Sequence, residues 1–135
     1  MARKASKADP INTAARRIRN ALNSGKPCKP IRDLIKPGDL DAAYAIQQIN
    51  TDAWIEEGRR PVGRKIGLTA KSVQKQLGVD QPDYGMLYAD MDVAEGEEVD
   101  VSRVLQPKVE AEIAFIMGDD LDDERLTTAD ILSSI

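Results

Sequence analysis

The chain has 135 residues, 41% hydrophobic and 31% charged, a mixture that suits one folded domain and needs no metal or disulfide staple merely to fold. Zero histidines exclude Ser-His-Asp and Cys-His machinery and imidazole metal sites, and a single cysteine, Cys28, excludes disulfide frameworks and cysteine zinc clusters. The net charge of −4 is uneven: residues 1–36 hold ten Lys/Arg against two acids, and residues 90–135 hold three against fourteen.

Any proton chemistry must therefore fall to Asp, Glu, Lys, Tyr or water. Any metal must be held by oxygens, the ligands of hard cations. No stretch approaches the length of a membrane span, and the basic start lacks the apolar core of a secretory signal. Arg16, Arg17 and Arg19 have no aromatic residue interleaved for base stacking, so nucleic acid is not an expected partner. With its lone thiol, the chain is expected in the cytoplasm.

A basic tail is expected over residues 1–8. Asp9-Pro10 then reads as a helix start, with Asp at the cap and Pro at the first helical position. Ile11, Ala14, Ala15, Ile18 and Leu22 recur at helical spacing, and Gly25 closes the segment. Residues 26–38 are punctuated by Pro27, Pro30 and Pro37-Gly38 and read as loop, with a short turn from Ile31 to Ile35. Asp39 or Asp41 opens a longer helix with an apolar stripe of Ala43, Ile46, Ile49 or Asn50, and Ala53, ending at Glu56-Glu57-Gly58.

Residues 60–68 read as a strand. Lys71 to Leu77 reads as a short helix closed by Gly78, and Pro82 to Gly85 as a turn. A second turn at Glu95 to Glu98 precedes a short strand at Val99 to Val101. The most regular segment is Val109 to Met117, where Val109, Ala111, Ile113, Phe115 and Met117 alternate on one face of an expected strand. Thr127 or Thr128 caps a final short helix. The elements read as α+β, with a helical region at 1–60 and a β-rich region at 61–135.

Three places can carry chemistry. Within the alternating segment, Glu110 and Glu112 project to one side, with Cα atoms about 7 Å apart in extended backbone. A divalent cation can bridge such a pair, and their face continues as Ala114 and Ile116, which calls for a metal or a basic partner to compensate the acids. The plain alternative is two glutamates in water. Lys65, in Gly63-Arg64-Lys65-Ile66-Gly67, lies on the face opposite Arg64 and Ile66. It can bind a substrate carboxylate or transfer a proton, or simply be a strand-edge lysine. Asp83, in Asp80-Gln81-Pro82-Asp83-Tyr84-Gly85, reads from composition as a turn residue, and an acid beside a glycine on a loop can equally be catalytic. Tyr88, Ser102 and Cys28 have no discriminating spacing. Asp119, Asp120, Asp122, Asp123 and Glu124 surround a turn and are expected in solvent.

The runs GRKIGLTAKSVQKQLGVDQPDYGMLYADM (63–91) and LQPKVEAEIAFIM (105–117) resemble the 2-hydroxypenta-2,4-dienoate (2-keto-4-pentenoate) hydratases of the fumarylacetoacetate hydrolase superfamily. PIRDLI (30–35) and AAYAIQQIN (42–50) resemble the same family's N-terminal region. The resemblance implies a Mg²⁺- or Mn²⁺-dependent lyase of aromatic meta-cleavage that hydrates 2-hydroxypenta-2,4-dienoate to 4-hydroxy-2-oxopentanoate. It makes Glu110 and Glu112 metal ligands, Lys65 a substrate-binding or proton-transferring residue, and Asp83 a pocket residue handling protons or water. It also implies a homo-oligomer at full length. Family members are longer, and their third metal carboxylate lies beyond Ile135, so the expectation is a fragment with little or no activity alone. A 4-oxalocrotonate-type 2-oxo acid decarboxylase, or a truncated subunit without catalysis, are the alternatives.

Overall fold

A computed structural model describes residues 9–135, and the basic tail expected at residues 1–8 lies outside them. Helix α1 (Pro10–Ser24) starts where Asp9 accepts hydrogen bonds from the backbone N–H groups of Ile11 and Asn12. It stops at Gly25, whose φ of 63° is the left-handed conformation that glycine adopts without a Cβ clash. Helix α2 (Leu40–Glu56) is capped by Asp39, which accepts from the Ala42 N–H at 3.0 Å.

The two helices meet through Ala14 and Ala15, fully buried, and Ile46 of α2. Small residues on α1 let the backbones approach closely, and Ile11, Ile18, Ile49, Ile31, Leu34 and Ile35 close around that centre. The buried face of α2 runs through Ala42, Ile46 and Asn50. Ala43, expected in the stripe, is exposed and Ala42 is buried in its place, while Ile46 and Asn50 stand where expected. Buried Asn50 is satisfied by the Arg19 guanidinium, which donates at 3.0 Å. Arg17 ties the intervening loop down by a paired contact to Asp33 at 2.7 and 3.1 Å. That loop holds a single 3₁₀ turn, Ile31–Asp33.

Strand β1 (Pro61–Gly67) pairs antiparallel with β2 (Asp83–Tyr88) in a two-stranded ribbon. Between them lies helix α3 (Lys71–Leu77), closed by Gly78 at φ 72°. Leu68 takes a left-handed φ of 56° at the corner, where the side-chain amide of Gln74 donates to its carbonyl at 2.6 Å. The turn expected over Pro82 to Gly85 is not formed there. Asp83, Tyr84 and Gly85 belong to β2 because Gly67, Ile66 and Lys65 pair with them. Ladder formation outweighs the turn preference of Asp and Gly.

Two further expected strands are absent among the described residues. Val101–Arg103 forms a 3₁₀ turn capped by Asp100, which accepts from the Ser102 N–H at 2.8 Å. Residues 109–117 make no ladder, and Val109, Ile113 and Ile116 are 100%, 83% and 87% exposed. Alternation assigns side chains to faces, but a strand also needs a neighbour to hydrogen-bond with. Among the described residues, 61–135 hold this one two-stranded ribbon, and the architecture is α+β. Helix α4 (Thr128–Ser133) begins with the expected cap, a reciprocal Thr127–Asp130 capping box.

Helix α2 touches β2 on one face of the ribbon. Tyr44 stacks on Tyr84 with centroids 5.0 Å apart, and the Gln47 side-chain amide donates to the Tyr84 carbonyl at 2.9 Å. Trp54 meets the fully buried Tyr88 edge-on at 5.8 Å, with the Arg59 guanidinium 4.2 Å over the Tyr88 ring. No helix among the described residues is long and apolar enough to cross a membrane.

Candidate active site

The register of the ribbon places the site. Lys65 is opposite Gly85, Gly67 opposite Asp83, and Gly63 opposite Leu87. Paired residues and those two apart share a face, so Lys65 and Asp83 stand together on the face away from α2. The other face carries Arg64, Ile66, Tyr84 and Met86, with the Arg64 guanidinium 5.1 Å from the Tyr84 ring centroid. The expected opposition of Lys65 to Arg64 and Ile66 is what the register gives.

Three of the positions on the Lys65 face are glycines: Gly63, Gly67 and Gly85. A Cβ at Gly63 or Gly85 would meet nothing within 4 Å, whereas at Gly67 it would run into the Asp83 carboxylate. The result is a floor of mostly bare backbone from which Lys65, Asp83 and the half-exposed Leu87 rise. Such a floor lets a ligand or another chain segment approach closely.

The segment carrying Glu110 and Glu112 supplies the other side. The Lys65 Nζ donates to Glu110 Oε2 and, at 2.9 Å, to Glu112 Oε1. Both carboxylates converge on one point, the same-side disposition that residues i and i+2 have in extended backbone. The two acids thus meet a basic partner 45 and 47 residues earlier in the chain. The sequence called for such a partner without naming it. A glycine-flanked lysine on a strand, together with a spaced acidic pair, was the available signal.

The pairing sets the charge states. Hydrogen bonds from Lys65 to Glu110 and then Glu112 hold the ammonium well above its ordinary pKa. The same contact, reinforced by charge, holds the Glu110 carboxyl below its ordinary value. In this arrangement Lys65 is a cation and a donor. The three side chains remain about half exposed, so solvent screens the attraction.

Two glutamate oxygens aimed at one positive charge are a donor set of the class a hard divalent cation takes. They are two donors only, and no group of three His, Cys, Asp or Glu assembles among the described residues. Asp119, Asp120, Asp122, Asp123 and Glu124 are exposed, as expected. Of the weaker candidates, Tyr88 is buried against Trp54 of α2, while Ser102 and Cys28 are exposed. A shallow cleft beside Asp83 is lined by Leu40, Ala43, Tyr44, Gln47 and Tyr84, residues that spacing alone did not single out. A larger cleft on the loop before α2 includes none of Lys65, Asp83, Glu110 or Glu112.

The chain is 58% identical over 119 residues to 2-keto-4-pentenoate hydratase 2 of Dechloromonas aromatica, covering 88% of this chain and 45% of that protein. It is 57% identical over 125 residues to the TodF product hydratase of Pseudomonas putida, covering 93% and 47%. The chain belongs to the 2-keto-4-pentenoate hydratase family. It spans about half the length of the curated relatives it matches. A 2-hydroxyhexa-2,4-dienoate hydratase of Comamonas testosteroni is similar at 34% identity over 126 residues, covering 92% of this chain and 48% of that protein. No protein-family model matches the chain. Among solved structures, the fold is similar to a 4-oxalocrotonate decarboxylase from Pseudomonas putida G7 complexed with magnesium and adipate. That likeness has a TM-score of 0.84 at 26% identity and covers 98% of this chain and 50% of that one.

Proposed function

We propose that the full-length protein containing this sequence is a divalent-metal-dependent hydro-lyase. It adds water to 2-hydroxypenta-2,4-dienoate and yields 4-hydroxy-2-oxopentanoate. The observation that carries this reading is the convergence of Lys65, Glu110 and Glu112 over the glycine floor that also bears Asp83. It occurs in a chain more than half identical to proteins named for this hydration. The whole is inferred to have the fumarylacetoacetate hydrolase-like fold, with residues 61–135 in its β-rich part, and to be a homo-oligomer.

In this reading Glu110 and Glu112 hold two coordination positions of Mg²⁺ or Mn²⁺, and a third carboxylate comes from the length of the relatives that this chain does not span. The cation, when bound, supplies Lewis-acid stabilisation of negative charge on the substrate's 2-oxygen. Lys65, held as an ammonium, binds and orients the substrate's carboxylate. Once the dienol has ketonised, losing its 2-hydroxyl proton and gaining one at carbon 5, Asp83, on the same face of the ribbon, takes a proton from the water that adds to carbon 4 and returns it to carbon 3. Gly63, Gly67 and Gly85 let the planar dienoate lie against backbone.

A decarboxylase acting on a 2-oxo-hexenedioate is the second reading, favoured by the structural likeness to 4-oxalocrotonate decarboxylase. One experiment separates them. The purified full-length protein is given each acid, and loss of dienoate absorbance, product and carbon dioxide are followed. Hydration without carbon dioxide release, abolished by a chelator and restored by Mg²⁺ or Mn²⁺, is the expected result. Carbon dioxide release from the second acid alone would shift the assignment. Hydration untouched by chelation and by Glu112→Gln would overturn the metal reading.

A further inference from the structure

Both carboxylates of the proposed metal site are occupied by the same ammonium. The Lys65 Nζ donates to Glu110 Oε2 and Glu112 Oε1, one oxygen of each carboxylate, and lies where a cation bridging the pair would lie. An ammonium and a divalent cation cannot share that point. They compete for the same lone pairs, and like charges a few ångströms apart repel. Nothing rigid fixes Lys65 there. Its side chain is 42% exposed, its stem is flexible, and Gly63 and Gly85 leave open space around it.

We propose that Lys65 and the divalent cation are alternative occupants of the Glu110–Glu112 pair. Without metal, the ammonium stands in for the cation and keeps two like charges together. Loading with metal expels the ammonium onto the bare face of the ribbon, where it meets the substrate's carboxylate. The order of events is then built into the site: Lys65 becomes available to substrate only after the cation is in place. This rests on the reading that Glu110 and Glu112 are metal ligands.

The competing arrangement keeps Lys65 bonded to the outer oxygens of both glutamates while metal is bound, orienting them as an outer-shell partner. The two differ in sign. As a competitor, Lys65 weakens metal binding and its removal tightens it. As an orienting partner, its removal weakens binding.

The test is Mn²⁺ binding by the full-length protein, read from the electron paramagnetic resonance of free Mn²⁺, for wild type, Lys65→Met and Glu112→Gln. Two exposed ion pairs no longer need breaking in Lys65→Met, so its Kd for Mn²⁺ is expected to fall by about three- to thirtyfold. An unchanged or weaker affinity overturns the proposal. A second readout uses wild type alone: acylation of the Lys65 amine, located by mass spectrometry, is expected to rise several-fold when Mg²⁺ is added. Unchanged or reduced labelling overturns it equally. If wild type binds no Mn²⁺, or Glu112→Gln binds it as tightly, the ligand assignment fails instead.

Discussion

Gly67→Ala tests the site without touching a charged residue. The added methyl would overlap the Asp83 Oδ1, while the Asp83 Cγ at 3.5 Å is in ordinary contact. The obstacle is the end of a flexible, exposed side chain, so the carboxylate yields rather than the strand pairing. Regaining van der Waals distance moves the oxygen by about 1 Å. Holding Asp83 off its rotamer costs about 0.5–1.5 kcal/mol. Replacing glycine at an ordinary φ restricts the unfolded chain and offsets about 0.4–1 kcal/mol of that. The net change in stability is within about 1 kcal/mol, a few degrees in Tm. The effect on turnover is far larger, because a 1 Å misplacement of a reacting group costs about 100-fold. Steady-state hydration kinetics beside a thermal melt of full-length wild type and variant measure both. The same substitution in an Asp83→Asn background should add little, since both act on one carboxylate. Near-normal kcat/KM in Gly67→Ala would refute a role for Asp83 at this position. A Tm loss of roughly 10 °C would show that the ribbon, not the side chain, absorbs the overlap.

Ile46→Ala removes the side chain at the centre of the α1–α2 contact, where Ile46 is 3% exposed. It is expected to cost about 2–5 kcal/mol in denaturant unfolding, and a loss below about 1 kcal/mol would mean the helices repack freely. Asp33 is held below its ordinary pKa by the hydrogen bond and charge of Arg17. Its contribution is therefore complete above the ordinary carboxylate range and disappears as pH falls through the lowered value. Asp33→Asn should lower stability at neutral pH and flatten the acid limb of the stability curve, and parallel curves would remove the Arg17–Asp33 tie from the account. Tyr88 has a buried hydroxyl without a hydrogen-bond partner among the described residues. Tyr88→Phe should leave stability unchanged or raise it, while a clear loss in thermal melting would reveal a partner for that oxygen.

The helices were legible because their signals are local. Asp9-Pro10, Asp39, Gly25, Gly78 and Thr127 are caps that act within a few residues, and each sits where it was expected. The ribbon was half legible. β1 matches the reading of residues 60–68, but β2 was hidden behind Pro82-Asp83-Tyr84-Gly85, whose composition favours a turn until a partner strand fixes it. Residues 109–117 show the converse, a strand-like pattern with nothing beside it to pair with. Within the site, alternation placed Glu110 with Glu112 and Lys65 away from Arg64. The union of Lys65 with both acids depends on a contact spanning 45 residues, which no local rule specifies.

The open segment at 109–117 also governs how the polypeptide behaves at concentration. Unpaired backbone flanked by Val109, Ile113, Phe115 and Ile116 is a template on which copies can stack. Glu110 and Glu112 interrupt that stretch with charge, as gatekeeper residues do. The two acids proposed for chemistry are therefore also expected to oppose association of the 135-residue chain. Replacing both with glutamine is expected to increase turbidity on storage, so any loss of turnover in that variant should be read from freshly isolated monodisperse material.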